Sequence, residues 1–379
     1  MKETFSRLFV TQTILFEKVT RFSEIEHLKN KIGILFYKIV RYISFISCKK
    51  KIEGGLRMQK TKCLVMLVGV ILLSFSIFAL NHSGTISTDE IWTLAASPHI
   101  ITGDVTVANE ITLTIEAGSE VRFNENFQLQ IQGVLYANGT SSDHISFTSN
   151  QDTHTPGFWR YIYFNGADAG CLLDYCDISY GGSSNGNIYI YNSDSNVSFT
   201  NCTIEQSGTD GILLAQYNSP TISDCLIQDN LGNGINCYNT SGTNPAPLIS
   251  DCEINNNGSY AIITYANNVK DVTGTMTITG NTYDTVFIRS GTINTGTWLY
   301  HNVPYVVGAD ITINDGETLT INPGNIIKFA GDYQLQVSGT LIADGTPSEH
   351  ITFTSNAETP GAGDWRYLFC YASDVGCLL

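Results

Sequence analysis

The sequence predicts an all-β protein, a solenoid in which short parallel strands wrap around an apolar column. Three observations predict this fold. The chain repeats a pattern about every 24 residues, apolar residues alternate within each repeat, and polar residues recur at one fixed place in successive repeats. A period of this length is typical of stacked supersecondary units and not of a compact globule.

The repeat consists of a cysteine, one variable residue and an isoleucine. The four copies are Cys176 with Ile178, Cys202 with Ile204, Cys225 with Ile227, and Cys252 with Ile254, and Met276 with Ile278 continues the series. The isoleucines are 26, 23, 27 and 24 residues apart. This alternation is typical of a strand with one buried face, so the cysteines and isoleucines are predicted to point inward.

Two further columns keep the same register. Eight residues after each of the last four isoleucines comes a second apolar position, which predicts another inward slot; it is occupied by Ile212, Ile235, Ile262 and Val286. Three residues after each of the same four isoleucines stands a polar residue, and these residues are Ser207, Asn230, Asn257 and Asn281. Stacked amides can hydrogen-bond from coil to coil and satisfy turn backbone groups, so a polar ladder is predicted here.

These repeats resemble those of the right-handed parallel β-helix family, the pectate-lyase-like superfold, of the bacterial exported or surface type. The segments that carry the resemblance are "NCTIEQSGTDGI", "DCLIQDNLGNGI" and "DCEINNNGSYAI". The resemblance implies a right-handed, single-stranded parallel β-helix of about 12 coils, a rod about 60 Å long. The family includes pectin lyases, polygalacturonases and adhesive or structural surface proteins, so the fold does not decide the activity.

The sequence also contains a duplication that is longer than one coil. Residues 113–173 and 319–379 align without a gap, and the match extends weakly back to Trp92 and Trp298. We therefore expect a first β-helix module at 85–297 and a second at 298–379, the latter a truncated copy of 92–173. A fragmentary reading frame is favoured over a naturally short protein, because an exposed solenoid end is an open sheet edge.

The N-terminal part has a different composition. The first 62 residues contain 14 of the 20 Lys and Arg residues but 5 of the 35 Asp and Glu residues. Residues 58–84 are predicted to be a signal peptide, because a basic start precedes the apolar run "CLVMLVGVILLSFSIFAL". An uncleaved signal anchor is the alternative, and it would be the chain's membrane contact. Residues 1–57 are interpreted as translated upstream DNA or as a cytoplasmic segment.

The charge of the exported part limits its partners. Residues 63–379 carry 6 basic and 30 acidic residues, so a basic surface for nucleic acid is not expected. Glycans or other surface proteins are the expected partners, at the cell surface or after secretion. Eight cysteines follow the predicted signal segment, and we expect free, buried thiols because four of them share one inward column. Disulfides are the alternative in an exported protein.

The strongest acidic candidates for chemistry are Asp224, Asp251 and Glu253. The first two precede the inward cysteine in neighbouring coils, and Glu253 follows Cys252, so all three are predicted to face outward. When carboxylates lie so close together, the pKa of one of them rises or the group binds a cation, which makes Ca²⁺ a candidate ligand. No other cofactor is expected. The favoured interpretation is a solvated polar face, with no confident catalytic or metal residue.

Tyr189 and Tyr191 are the candidate ligand-binding residues. They alternate with Ile188 and Ile190, so both should face outward, where two neighbouring tyrosines can contact a carbohydrate or a protein. The sequence thus favours a non-enzymatic structural or adhesive rod. The alternative is a polysaccharide hydrolase or lyase that acts on an extended glycan along the outer face, using the three carboxylates.

Overall fold

The computed structural model describes residues 80–193, 197–239, 243–371 and 376–379. These residues form a parallel β-solenoid of about 11 turns, which confirms the predicted fold class. The first strand, Leu80–Ile86, begins ahead of the expected module start at residue 85. The expected segment at 1–57, and residues 58–79 of the expected signal segment at 58–84, lie outside the described residues. Within the described residues, no helix has both the length and the apolar character needed to cross a membrane.

The first module has three columns of parallel strands around one core. Leu80–Ile86 pairs along His99–Val107, and both strands contribute to columns one and two. Column one continues with Glu120–Phe123, Ile145–Ser149, Cys176–Ser179, Thr203–Glu205, Leu226–Gln228, Glu253–Asn255 and Thr277–Thr279. Column two continues with Leu129–Ile131, Ile162–Asn165, Ile188–Tyr191, Ile212–Leu214, Ile235–Cys237, Tyr260–Thr264 and Tyr283–Ile288. Column three contains Glu90–Trp92, Thr112–Ile115, Val134–Asn138, Leu172–Asp174, Ser198–Thr200, Thr221–Ser223, Leu248–Ser250 and Val272–Thr273.

The second module continues only one of these columns in the described chain. Column two runs on through Tyr305–Val307, Ile326–Phe329 and Thr352–Ser355. Two new columns begin beside it: Gly291–Ile293, Ile311–Ile313, Gln334–Val337 and Tyr367–Cys370, and Gly296–Trp298, Thr318–Ile321, Thr340–Ile342 and Cys377–Leu378. Two short 3-10 helices, Leu94–Ala96 and Ala266–Asp271, interrupt the strands.

The two modules are joined out of phase. Tyr305 is the counterpart of His99, which pairs within column one, yet Tyr305 lies on Val286 of column two. The second module is therefore attached one face further round the solenoid than the first. The 3-10 helix Ala266–Asp271 packs against Gly291–Ile293 at this junction, where columns one and three end.

The repeated cysteines and isoleucines line the core. Cys176, Cys202, Cys225 and Cys252 are at most 2% exposed, and Ile178, Ile204, Ile227 and Ile254 are fully buried. Each of the four thiols lies within 3.2–3.6 Å of backbone carbonyl oxygens, as Cys225 Sγ does with Phe199 O and Ser223 O. The second slot, from Ile212 to Val286, is equally buried. Cysteine acts here as a small apolar side chain with a weak donor.

The asparagine ladder lies at the turn between columns one and two. Asn230 Nδ2 donates to Asn257 Oδ1 (2.9 Å), and Asn257 Nδ2 donates to Asn281 Oδ1 (2.8 Å). Each Nδ2 also donates to a strand carbonyl of the preceding coil. The ladder ends at Asp284, whose Oδ1 accepts from Asn281 Nδ2. Asn257 Oδ1 and Asn281 Oδ1 also accept the backbone N–H of the preceding ladder residue, so the amides satisfy buried turn N–H groups that lie outside the strands.

A pair of buried histidines closes the N-terminal coil. His82 is 7% exposed and His99 is fully buried, and Trp92 stacks on His99. His99 Nε2 donates to Thr93 O (3.0 Å), so its Nδ1 accepts the proton of His82 Nε2 (3.0 Å). Burial lowers the pKa of both rings, that of His82 to about 3. Both histidines are therefore neutral in the folded protein.

Acid should open this coil. Below pH 6.5 the unfolded chain binds more protons than the folded one, so the contribution of His82 to stability is complete above pH 6.5 and decreases towards about pH 3. Between pH 7 and pH 5 we expect a loss of about 2 kcal/mol. Hydrogen exchange of the amides in His99–Val107 measures this opening.

The second module supplies the control variant. Ile288 and Tyr305 occupy the equivalent positions, and Tyr305 Oη donates to Leu299 O (2.6 Å) as His99 donates to Thr93 O. The double substitution His82→Ile and His99→Tyr should therefore remove most of the pH dependence between pH 7 and pH 5. An unchanged slope in the variant would show that other groups open this coil.

Candidate functional site

The two aspartates of the acidic candidate group are turn residues. Asp224 and Asp251 are exposed at the turn between columns three and one, each with a φ angle of 54°. Asn201 holds the same place one coil earlier with a φ of 52°. This left-handed region is tolerated by Asn and Asp better than by most residues, so backbone geometry accounts for the residue type. Asp251 Oδ1 also accepts the N–H of Thr275 (2.8 Å).

The third acidic candidate, Glu253, lies in a strand and not in a turn. Glu253 is exposed on column one, where its neighbours in the outward row are Leu226 and Thr277. Its carboxylate accepts from Asn255 Nδ2. Asp177, in the same outward row, pairs with His144 Nδ1 (3.1 Å). In the described ranges, no group of three or more His, Cys, Asp or Glu side chains is arranged to hold a metal ion.

The prediction of free thiols is wrong for two of the cysteines. Cys370 and Cys377 form a disulfide, although we expected free thiols throughout the exported part. The error arose because the inward column does not extend to these two residues: both are exposed, in neighbouring strands of the last coil. The other six cysteines in the described residues are free and buried. Burial raises the pKa of Cys171 to about 11 and that of Cys237 to about 12, so neither provides a thiolate nucleophile.

The candidate binding site is a cluster of tyrosines on the outward face of column two. The tyrosine cluster consists of Tyr161, Tyr163, Tyr189 and Tyr191, all half-buried. Tyr163 and Tyr189 are partners in neighbouring strands, and their rings stack with centroids 4.8 Å apart and planes 7° from parallel. Tyr161 lies across them, at 69° to the first and 63° to the second.

Polar side chains adjoin the tyrosine cluster. Gln130 precedes Tyr163 in the outward row of column two, and Gln216 Nε2 donates to Tyr191 Oη (3.0 Å). Arg160 lies beside the cluster, and its guanidinium donates to Asp104 Oδ2 (3.1 Å). Its positive charge is thereby paired with a carboxylate. The cluster thus combines aromatic rings with amides and has one neutralised charge pair at its margin.

The phenol hydroxyls of Tyr161, Tyr163 and Tyr189 stay protonated. Burial raises the pKa of Tyr161 and Tyr189, and it raises the pKa of Tyr163 to about 12. At neutral pH these groups can both donate and accept hydrogen bonds, which the hydroxyls of a ligand require. The arrangement can therefore bind a polar, uncharged molecule, and it offers no acid or base that titrates near pH 7.

The second module repeats this arrangement. Tyr367 and Phe369 are the counterparts of Tyr161 and Tyr163, and their ring centroids are 5.7 Å apart. Gln336 precedes Phe369 in the row just as Gln130 precedes Tyr163. The arginine pair recurs too, since Arg366 donates to Asp310 Oδ2 (3.0 Å).

Sequence reasoning identified Tyr189 and Tyr191 but missed Tyr161 and Tyr163. The signal was present, because Tyr161 and Tyr163 alternate around Ile162 just as the first pair alternates around Ile190. That segment starts at Trp159, which is repeated as Trp365, and a repeat at the same structural place favours a packing role. Trp159 does pack: it is fully buried and stacks on Phe123 at 3.9 Å.

Comparison with known proteins supports the fold. Residues 133–307 match a family model described as the right handed beta helix region. The match and the parallel solenoid are together consistent with a parallel β-helix repeat protein. Neither the comparison with curated proteins nor that with solved structures gave a match.

Proposed function

We propose that this protein is an exported β-helix rod that binds an extended ligand and does not act as an enzyme. The observation that carries the proposal is the tyrosine cluster on the outward face of column two. Aromatic side chains that are packed in register but still accessible are typical of binding surfaces, because each ring contributes a large contact area. Of the acidic candidates, by contrast, Asp224 and Asp251 occupy turns, and Glu253 accepts a hydrogen bond from Asn255.

Export is proposed from the segment that precedes the solenoid. A basic start is followed by an apolar run, and this run ends at Leu80, which is the first residue of the first strand. A signal peptide cleaved near Ala79 would release the solenoid with its first strand complete. Secretion or display at the cell surface follows from this proposal, and a signal anchor remains the alternative form of attachment.

The competing function is a polysaccharide hydrolase or lyase that uses Asp224, Asp251 and Glu253. To test it, the full chain is incubated with polygalacturonate and with neutral glycans, with and without Ca²⁺. New reducing ends and unsaturated products are then measured. We expect neither product. Turnover that is lost in Asp251→Asn, a variant that can still accept the Thr275 N–H, would contradict the rod proposal.

A further inference from the structure

We infer that the tyrosine cluster is a site for a neutral polysaccharide that lies along the axis of the rod. The inference rests on the proposed binding function and specifies its ligand. It starts from the aromatic geometry. Tyr163 and Tyr189 stand in successive coils, and Tyr161 crosses both at a steep angle, so the cluster presents aromatic surface in two directions. A pyranose ring offers both apolar C–H faces and a rim of hydroxyls, and aromatic rings bearing hydroxyls are complementary to both.

The polar neighbours match hydroxyl groups. Gln130 and Gln216 supply amides that can donate and accept, and they lie on opposite sides of the cluster along column two. Gln216 already bonds to Tyr191 Oη, so that hydroxyl is held in place. Fixed donors and acceptors around an apolar surface are the usual means of orienting an uncharged polar ligand.

Electrostatics exclude an anionic polymer. The exported part carries 30 acidic and 6 basic residues, and the nearest arginine, Arg160, is paired with Asp104. Arg122 is paired with Glu120 (2.8 Å), and Arg366 is paired with Asp310. A uronate chain or a phosphate-rich polymer would meet net repulsion along the whole rod. A neutral glycan would not.

The repetition favours a polymer over a small molecule. Tyr367, Phe369 and Gln336 reproduce Tyr161, Tyr163 and Gln130 in the second module. The second module is attached one face further round the solenoid, so its aromatic pair lies on a different face from the tyrosine cluster. A polymer long enough to pass from one face to the other can contact both, and the second contact then gains from the high effective concentration. A single small ligand would gain nothing from the second surface.

The test is isothermal titration calorimetry on the full chain. The probes are hexasaccharides of β-1,4-linked glucose and of β-1,4-linked N-acetylglucosamine, with oligogalacturonate of the same length as the anionic probe. We expect saturable binding of a neutral hexasaccharide and binding of the oligogalacturonate that is at least about tenfold weaker. The variant Tyr163→Ala/Tyr189→Ala should lose at least about tenfold in affinity.

Two controls keep the test decisive. Tyr136→Ala removes a tyrosine of column three that is 39% exposed, and it should leave the affinity unchanged. If the double alanine variant unfolds, Tyr163→Phe/Tyr189→Phe keeps both rings, as Phe369 does in the second module, and should lower the affinity by removing hydroxyls alone.

The outcomes separate the ligand from the function. Tighter binding of oligogalacturonate, or binding of a basic protein such as cytochrome c that is lost in the tyrosine variant, would overturn the neutral-glycan inference and leave the rod proposal standing. Failure of both neutral hexasaccharides to bind would overturn the inference as well. Cleavage of any of the oligosaccharides would overturn the rod proposal itself.

Discussion

Replacing Cys225 by Asp is expected to unfold the centre of the solenoid. Cys225 Sγ lies 3.6 Å from Phe199 O and 3.2 Å from Ser223 O, so a carboxylate there would face two carbonyl oxygens in place of a weak donor. The site is 2% exposed, and no cation lies in the inward column of cysteines. A buried, unpaired charge should cost at least about 4 kcal/mol, a large part of the stability of a typical domain.

Urea unfolding followed by far-ultraviolet circular dichroism measures this effect. The matched control is Thr221→Asp, which places the same charge on the outward side of a column three strand, between Ser198 and Leu248. The control should change the free energy of unfolding by no more than about 0.5 kcal/mol. If the Cys225 variant were as stable as the control, the inward assignment of the cysteine column would be wrong.

The second large effect is expected at Asn257, in the middle of the asparagine ladder. Asn257 Nδ2 donates to Asn281 Oδ1 (2.8 Å) and to Ile227 O (3.1 Å), and the residue is 1% exposed. Asn257→Asp removes both donors and sets a carboxylate against two acceptors. We expect a loss of about 3 kcal/mol or more in the free energy of unfolding.

The control for this substitution is its neighbour. Asn256 is exposed, with a φ of 53°, and Asp229 holds the equivalent place one coil earlier with a φ of 52°. Asn256→Asp should therefore be nearly neutral. Equal stability of the two variants in urea would show that the ladder does not hold the coils together.

Much of the fold was accessible from the sequence because a solenoid repeats its packing. Each Cys-x-Ile copy must place the same two side chains in the same core. Once the inward-facing positions are known for one coil, they are therefore known for all four. The ladder followed in the same way, since Asn230, Asn257 and Asn281 keep a fixed distance from the buried isoleucines.

The parts that failed or were missed depend on contacts between distant residues. The shift of the second module at Tyr305 arises beyond the 3-10 helix Ala266–Asp271, which is inserted between two strands and packs against Gly291–Ile293, and the coil repeat gives no sign of it. The disulfide of Cys370 and Cys377 lies outside the inward column. For the candidate site, the outward direction of Tyr189 followed from the sequence, but its stacking on Tyr163 became visible only when neighbouring coils were placed in register.

The acidic candidates show that residue type alone does not assign a role. Asp224 and Asp251 were noticed because carboxylates can do chemistry, whereas the structure places both in left-handed turns. Asn201 serves equally well in the same turn, which indicates that the backbone and not a substrate selects these residues.

One measurement tests the central functional claim most directly. The full chain is saturated with a neutral hexasaccharide, the complex is isolated, and the mass of the recovered glycan is determined. A binding rod predicts that the glycan is retained by the protein with intact Tyr163 and Tyr189 and is recovered at its original length. Recovery of shorter or unsaturated fragments would show that the protein is an enzyme and would contradict the account.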